Sequence, residues 1–450
     1  MPRVASLSPG VRSSHLATVF HCEMSPRHTA LLATLALTAL GSGVPSAAAA
    51  APSGSVQNEE LVLRGKLARE MRPAGSSSGA YVANVDRGRA VFQWRHKRAR
   101  ILASNTKLFT TSAALARFGP AARLNTGVRG DGELDLDGTY RGNLYLVGGG
   151  DPTFGSRRFG LRAYGGGASA VEDLAVKLKE LGILRVTGRV VGDESRFDTL
   201  RGGPDSGYRT SIYVGPLSGL AYNRGLASES GRGFQLSPPA FAAARLDSAL
   251  AHRGVSVEGA ARAGRAPRDS RLLTFVSSPT IARLAALTNK PSDNFFAETL
   301  LKDLEMQATG KGTTAGGARI AAAFASRLGG AARLMDGSGL SRGNRASPLA
   351  VAKLLIALRD REDEFPAFFG SLSIAGRDGT LRPRMRRGPA RSRCRGKTGT
   401  LSGVSAVSGY CKARSGETYV FSILMNGVNP FGARRLQDRM LQAIAGVRGD

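Results

Sequence analysis

The sequence predicts an α/β protein: an antiparallel sheet flanked by helices, with a mostly-β segment inserted into it. Three observations predict it. Residues 81–94 and 396–425 carry short, strand-like apolar runs separated by polar turns. Several other stretches repeat apolar residues three and four positions apart between Pro and Gly punctuation, which suits half-buried helices. Between residues 126 and 276 the texture changes to short alternating segments separated by Gly and Asp. Antiparallel strands framed by N- and C-terminal helices indicate layered α/β packing. At 450 residues and 42% hydrophobic content, the chain can bury a core large enough for two or three domains.

Residues 1–50 are set apart from the fold. The run TALLATLALTALGSGVPSAAAA (29–50) follows Arg27 and His28 and ends in small residues, so it reads as a secretory signal with Met24 as its start. The alternative is a retained anchor, but the run is short and broken by Gly41-Ser42-Gly43 and Pro45. Glu59 to Met71 then has helical spacing and stops before Pro73. Tyr81 to Asp86 and Ala90 to Trp94 flank Arg87-Gly88-Arg89, a hairpin pattern. Ser104 opens a helix whose apolar positions include Leu108, Phe109, Ala113, Leu115 and Ala116 and which ends at Gly119-Pro120.

The segment 126–276 holds strand-like runs at Gly142 to Asp151 and Val186 to Asp193, with a helix-like run at Val171 to Leu181. It reads as an inserted mostly-β domain, dividing a catalytic domain into 51–125 and 277–450. Ser278-Pro279 starts a helix to Lys290, Pro291 breaks it, and Phe295 to Met306 is helical again. Asp336 to Arg342 is a polar turn, and Ser347-Pro348 starts a helix through Leu358. Strands at Gly396 to Leu401, Ser405 to Cys411 and Tyr419 to Met425 precede a closing helix.

Three runs carry the chemistry: Ser104-Asn105-Thr106-Lys107, Ser292-Asp293-Asn294 and Lys397-Thr398-Gly399. A serine hydroxyl is a weak nucleophile near neutrality and needs a base within hydrogen-bond reach. A lysine three residues later on a helix lies on the same face, so Lys107 is positioned to serve Ser104. The other runs offer a hydroxyl and amide to relay protons and hold substrate, and a strand edge with a cation for a carboxylate. Singly, Ser104 reads as an N-cap and Lys107 as a solvated first-turn residue. The ordered triple instead indicates an acylating serine enzyme of the penicillin-binding class.

Composition bounds the partners. The formal charge is +29; without Arg3, Arg12, Arg27 and Glu23 there remain 60 basic and 33 acidic residues, net +27. The basic residues are dispersed arginines with no nucleic-acid motif, so anionic cell-wall polymers or a membrane surface fit an exported protein better than DNA. An arginine-rich coding bias is the alternative. Of three cysteines, Cys22 lies in the presequence; Cys394 and Cys411 either pair across a hairpin or remain buried thiols. Only His96 and His252 survive removal of the presequence, without nucleophile-elbow or metal-ligand spacing, so neither a Ser-His-Asp hydrolase nor a metal site is expected.

With these motifs, and with Gly149 to Thr153, Asp336 to Arg342, Gly376 to Leu381 and Gly396 to Leu401, the chain resembles the class C low-molecular-mass penicillin-binding proteins, D-alanyl-D-alanine carboxypeptidase/endopeptidases. The resemblance implies a serine β-lactamase/transpeptidase-like fold, no cofactor, and peptidoglycan stem peptides and β-lactams as ligands. It implies that Ser104 attacks the carbonyl between two terminal D-alanines while Lys107 takes its proton. Ser292 would return the proton to the leaving amine with Lys107 or Lys397, and Asn294 would hold the peptide and orient Lys107. Lys397, Thr398 and Gly399 would form the carboxylate-binding strand, and backbone N–H groups of Ser104 and Thr400 the oxyanion hole. Asp193 and Arg342 would line a pocket for the third stem residue. The interval from Ser104 to Ser292 is short for the family's larger members, which implies that a second nested insertion is reduced or missing. Two alternatives stand: a class A β-lactamase, disfavoured by the long insertion, and a non-catalytic wall-binding or β-lactam-sensing module.

Overall fold

The computed structural model describes residues 54–449; the expected secretory signal lies outside them. The chain enters through α1 (Gly54–Met71), whose Leu63, Leu67 and Met71 are buried on one face. The hairpin β1 (Gly79–Asn84) and β2 (Arg89–Trp94) follows, then a short β3 (Arg100–Ile101). A 3-10 turn over Ala103–Asn105 leads into α2 (Thr106–Phe118), which Gly119 terminates at φ +85°. Ser104 therefore sits on the tight turn feeding the helix rather than on the helix itself. Residues 106–115 of α2 are all buried, which makes it the central helix of the catalytic layer.

The middle segment builds its own sheet. Strands β4 (Asn125–Gly130), β5 (Glu133–Leu134), β6 (Thr139–Arg141) and β7 (Leu144–Val147) precede helices α3 (Arg157–Tyr164) and α4 (Val171–Glu180). Strand β8 (Arg185–Asp193), helix α5 (Pro238–Ala251) and strands β9 (Ser256–Ala263) and β10 (Arg271–Ser277) complete it. The sheet order is β10-β4-β7-β8-β6-β5, with β9 also on β8, and β8 runs parallel to β6, β7 and β9. Parallel pairing requires crossovers, and α4 and α5 supply them. The segment thus holds two helices, α3 and α5, beyond the one expected. The α5 signal was present: Pro239, Ala242, Ala243, Leu246 and Leu250 repeat at helical spacing and are buried. Phe159, Tyr164, Val214 and Leu217 pack with Phe295 and Phe296 of the helical layer, so 126–276 is joined to the rest by a shared core.

The C-terminal part begins with α6 (Ile281–Asn289), α7 (Asn294–Thr309) and α8 (Thr314–Arg327). Short strands β11 (Ala332–Arg333) and β12 (Arg345–Ala346) join β3, and α9 (Pro348–Arg359) and α10 (Phe365–Ser371) follow. Then come β13 (Ser373–Ile374), β14 (Cys394–Leu401), β15 (Val404–Lys412), β16 (Thr418–Asn426) and the closing α11 (Pro430–Ala445). The main sheet runs β13-β14-β15-β16-β1-β2, every neighbour antiparallel. Its residues alternate between two cores, as the strand period demands. Ala406, Tyr410, Val420 and Leu424 face the α2, α6, α7 and α9 layer; Val407, Phe421, Ile423 and Met425 face α1 and α11. Because both faces are covered, β15 is buried from Val404 to Cys411. Each large side chain so buried contributes about 1.5–3 kcal/mol. Cys394 and Cys411, opposite in register, form a disulfide, which decides between the two expected states of these thiols. No described helix is long and apolar enough to cross a membrane.

Candidate active site

The three motifs meet although they lie far apart in the chain, because α2, α7 and β14 converge on one groove. Asp293 caps α7, its side chain accepting the Phe296 N–H at 3.0 Å, and Asn294 is the first helical residue. Ser292 precedes them at φ +65°, and Ala103, just before the nucleophile candidate, is at φ +46°. Non-glycine residues in this region are strained, and both flank the site. The Asp293 carboxylate also binds Arg224 at 2.6 Å, and that guanidinium stacks over Phe295 and Phe296. The loop is thereby tied to the middle segment.

Lys107 is fully buried. Its Nζ lies 3.2 Å from Ser104 Oγ, 2.7 Å from Asn294 Oδ1 and 2.7 Å from the Ser338 carbonyl. As an ammonium it would donate all three protons. As a neutral amine it would donate two, to Asn294 and Ser338, and keep its lone pair for the Ser104 hydroxyl. Burial pulls its pKa down to about 8, against the opposing charges of Glu298, Asp293 and Asp336. The neutral form is therefore accessible near physiological pH.

Lys397 is also fully buried, with Nζ 2.8 Å from Ser292 Oγ and 2.9 Å from the Thr398 carbonyl. Burial, and then the charge of Lys107, hold its pKa well below the usual lysine range. Asn105 Nδ2 donates to the Lys397 carbonyl at 3.0 Å, fixing the 3-10 turn to β14. Strand β13 pairs with β14 only at Arg395 and Gly396, so the outer edge from Lys397 onward borders the groove. Thr398 Oγ1 is 2.7 Å from Thr380 Oγ1, and Arg434 donates to Thr400 Oγ1 at 3.0 Å. A Cβ on Gly399 would lie 3.0 Å from Ser104 N and 2.9 Å from the Leu102 carbonyl, so strand and turn touch only because this residue is glycine.

The groove, about 850 Å³, is lined by Ser104, Ser292, Asn294, Thr398 and Thr400 together with Asp205, Tyr213, Arg384 and Arg434. Asp193 stands apart from these residues. It is buried at the end of β8, and its carboxylate accepts the backbone N–H groups of Ser195 (2.7 Å) and Ala266 (2.8 Å), away from the groove lining. A carboxylate so engaged closes turns. Arg342 is exposed and donates to the Ser402 carbonyl at 3.0 Å, beside the groove but outside its lining. The acid on the wall is Asp205, ahead of a turn closed by Gly207. Its sequence setting, Gly-Gly-Pro-Asp, reads only as a turn, so nothing local marked it.

Comparison with known proteins agrees with this geometry. Residues 65–235 and 227–447 match the model of the D-Ala-D-Ala carboxypeptidase 3 (S13) family. The chain is similar to a D-alanyl-D-alanine carboxypeptidase of Actinomadura sp., 26% identical with 83% of this chain and 82% of the relative covered. It is also similar to carboxypeptidase DacB of Mycolicibacterium smegmatis, 31% identical with 73% and 72% covered. Among solved structures, penicillin binding protein 4 of Haemophilus influenzae shares the fold at a TM-score of 0.70 and 20% identity, with 83% of this chain and 97% of that one covered. The chain belongs to the D-Ala-D-Ala carboxypeptidase 3 (S13) family and is a serine-type D-Ala-D-Ala carboxypeptidase.

Proposed function

We propose that this carboxypeptidase is exported, acts on peptidoglycan stem peptides through an acyl-enzyme on Ser104, and is trapped by β-lactams at the same atom. One observation carries the reading: a buried lysine whose three polar contacts are the Ser104 hydroxyl, the Asn294 amide oxygen and the Ser338 carbonyl. Neutral Lys107 takes the Ser104 proton as Oγ bonds to the carbonyl carbon between the terminal D-alanines. The Ser104 and Thr400 N–H groups receive the developing oxyanion, worth about 3–4 kcal/mol per donor in comparable acyl transfers. Ser292, in contact with Lys397, passes a proton to the leaving amine; the C–N bond breaks and D-alanine departs. Lys397 and Thr398, on a strand kept open by Gly399, hold its carboxylate. Water then cleaves the ester.

The side chain of the third stem residue is proposed to meet Asp205, with Arg384 and Arg434 near by, in place of the Asp193 and Arg342 pair. Residues 126–276 are proposed as a domain inserted between 51–125 and 277–450, supported by their separate sheet and core. Anionic wall polymers remain the favoured further partner. Eight arginines fall between 377 and 395, and only Arg384 among them has a described carboxylate partner, Asp438 at 2.7 Å. Arg384 and Pro383 of that segment also line the groove.

The test is mass spectrometry of the mature protein after benzylpenicillin, with digestion to locate the adduct. A stable adduct on Ser104 that Ser104→Ala abolishes, with D-alanine released from a stem pentapeptide, supports the proposal. Hydrolysed drug and unmodified protein would identify a β-lactamase; intact drug and no adduct, a non-catalytic module.

A further inference from the structure

Glu298 is buried on α7, one turn after Asn294 and on the same face. Its carboxylate accepts the Gly337 N–H at 3.1 Å from each oxygen and the Ser338 N–H at 2.8 Å. These donors suit the ionised acid, but burial and then the neighbouring Asp336 push its pKa up to about 7, so the charge is present from about neutral pH upward. On the other side of the same two residues, Thr110 Oγ1 donates to the Gly337 carbonyl at 2.8 Å and Lys107 Nζ to the Ser338 carbonyl at 2.7 Å. Gly337 is pressed so closely on α7 that a Cβ would lie 2.5 Å from the Ala297 carbonyl. The peptide is thus clamped between α7 and α2, and its last acceptor meets the amine beside Ser104.

We propose that Glu298 is a positioning residue for the base: it aims the Ser338 carbonyl at Lys107 and, once ionised, holds a negative charge behind it. The proposal rests on the acyl-enzyme reading above and adds a residue to it. The other charged groups around this pair are Asp293 at the cap of α7, Asp336 in the following turn, Lys302 one turn further along α7, and Lys397 on β14. Lys302 is neutralised by Asp198 at 2.6 Å, and Asp336 is occupied by the Gly339 and Ser341 N–H groups and Asn344. A negative charge behind a lysine favours its ammonium form, so Glu298 raises the pH at which the base becomes free. In return, it fixes the direction of one of the two protons the neutral amine keeps.

The experiment is the pH profile of the benzylpenicillin acylation rate at Ser104, by intact-protein mass spectrometry, for wild type, Glu298→Gln and Glu298→Asp. The amide keeps the shape and removes the charge, so the acidic limb should move to lower pH by about one unit, with a lower plateau from the disturbed clamp. The aspartate keeps the charge and loses reach, so the plateau should fall while the limb stays near its wild-type position. A purely structural role predicts lower plateaus with unmoved limbs in both, and that result overturns the proposal. If the amide variant fails to fold, Glu298→Ala replaces it as the charge-removing variant: an acidic limb moved to lower pH supports the proposal, and an unmoved limb overturns it. A wild-type protein without an adduct on Ser104 overturns the acyl-enzyme reading and this inference with it; an adduct with unmoved limbs overturns this inference alone.

Discussion

Substituting Gly339 by alanine should disable the nucleophile from behind. Gly339 is at φ +91°, and a Cβ there would lie 1.9 Å from the Ala103 carbonyl oxygen, 2.3 Å from its carbon and 2.9 Å from Ser104 N. Ordinary contact for such atoms is about 3.5 Å, so the Ala103–Ser104 peptide would have to retreat by about 1.5 Å. It has little freedom, since Ala103 is already at φ +46° and Asn105 is tied to Lys397. A displacement near 1 Å at a reacting group costs on the order of 10²-fold in rate, and overpacking costs about 1–3 kcal/mol in stability. The assay is the benzylpenicillin acylation rate beside urea unfolding. Gly416→Ala is the control: its φ is +88° with nothing within 4 Å of the added methyl, so it should lose about 1–2 kcal/mol from backbone strain alone and acylate normally. Acylation of the Gly339 variant within about threefold of wild type would refute the argument, because a shifted turn cannot keep Ser104 in register with Lys107.

Three further outcomes are expected. Asp205→Asn should weaken hydrolysis of stem peptides with a free amine on the third side chain, by about tenfold in kcat/KM for one lost charge contact, and leave penicillin acylation unchanged; equal loss on both substrates would argue against a side-chain subsite. Asp151 is buried, and burial pushes its acid up to about 6 despite hydrogen bonds from Ser169 and Thr153. The fold therefore binds a proton that the unfolded chain, with the ordinary value of 3.8, has released. This contribution is greatest below about pH 4 and is lost as pH rises through 6, up to about 3 kcal/mol in all. Urea titrations at pH 4 and 8 should show that slope reduced in Asp151→Asn. Replacing Cys394 and Cys411 together by serine opens a loop of 17 residues and should cost about 3 kcal/mol in urea unfolding; a loss below about 1 kcal/mol would show that the sheet constrains the unlinked strands equally well.

Much of the catalytic layer was legible because its chemistry is local. Ser104 and Lys107 share a turn of chain, the Ser292 run sits at a Pro-marked break, and β14 to β16 have plain strand composition flanked by turns. The middle segment is less legible, since its sheet is partly parallel and α5 is rich in alanine, so spacing rather than composition marks it. In sequence, a carboxylate after a strand, such as Asp193, looks the same whether it caps turns or faces a ligand. Only the backbone N–H groups of Ser195 and Ala266 distinguish the two. Glu298 had no signal as a site residue: in sequence it is one more acid on a helix, and its partners are peptide groups some forty residues away.

The antiparallel pairing of β1 with β16 sets Gly79 opposite Leu424, joining strands from opposite ends of the chain. A polypeptide emerging from its N-terminus makes the β1–β2 hairpin early, but the other neighbour of β1 exists only once residues 418–426 have been made. The lysine strand β14 arrives scarcely sooner. Such non-local closure is slow and leaves unpaired strand edges exposed while the chain waits. The catalytic groove is therefore assembled only once β14, β15 and β16 have joined β1. A chain that stops before β14 carries Ser104 without the strand it must face, so hydrolytic capability appears all at once, when that strand is in place.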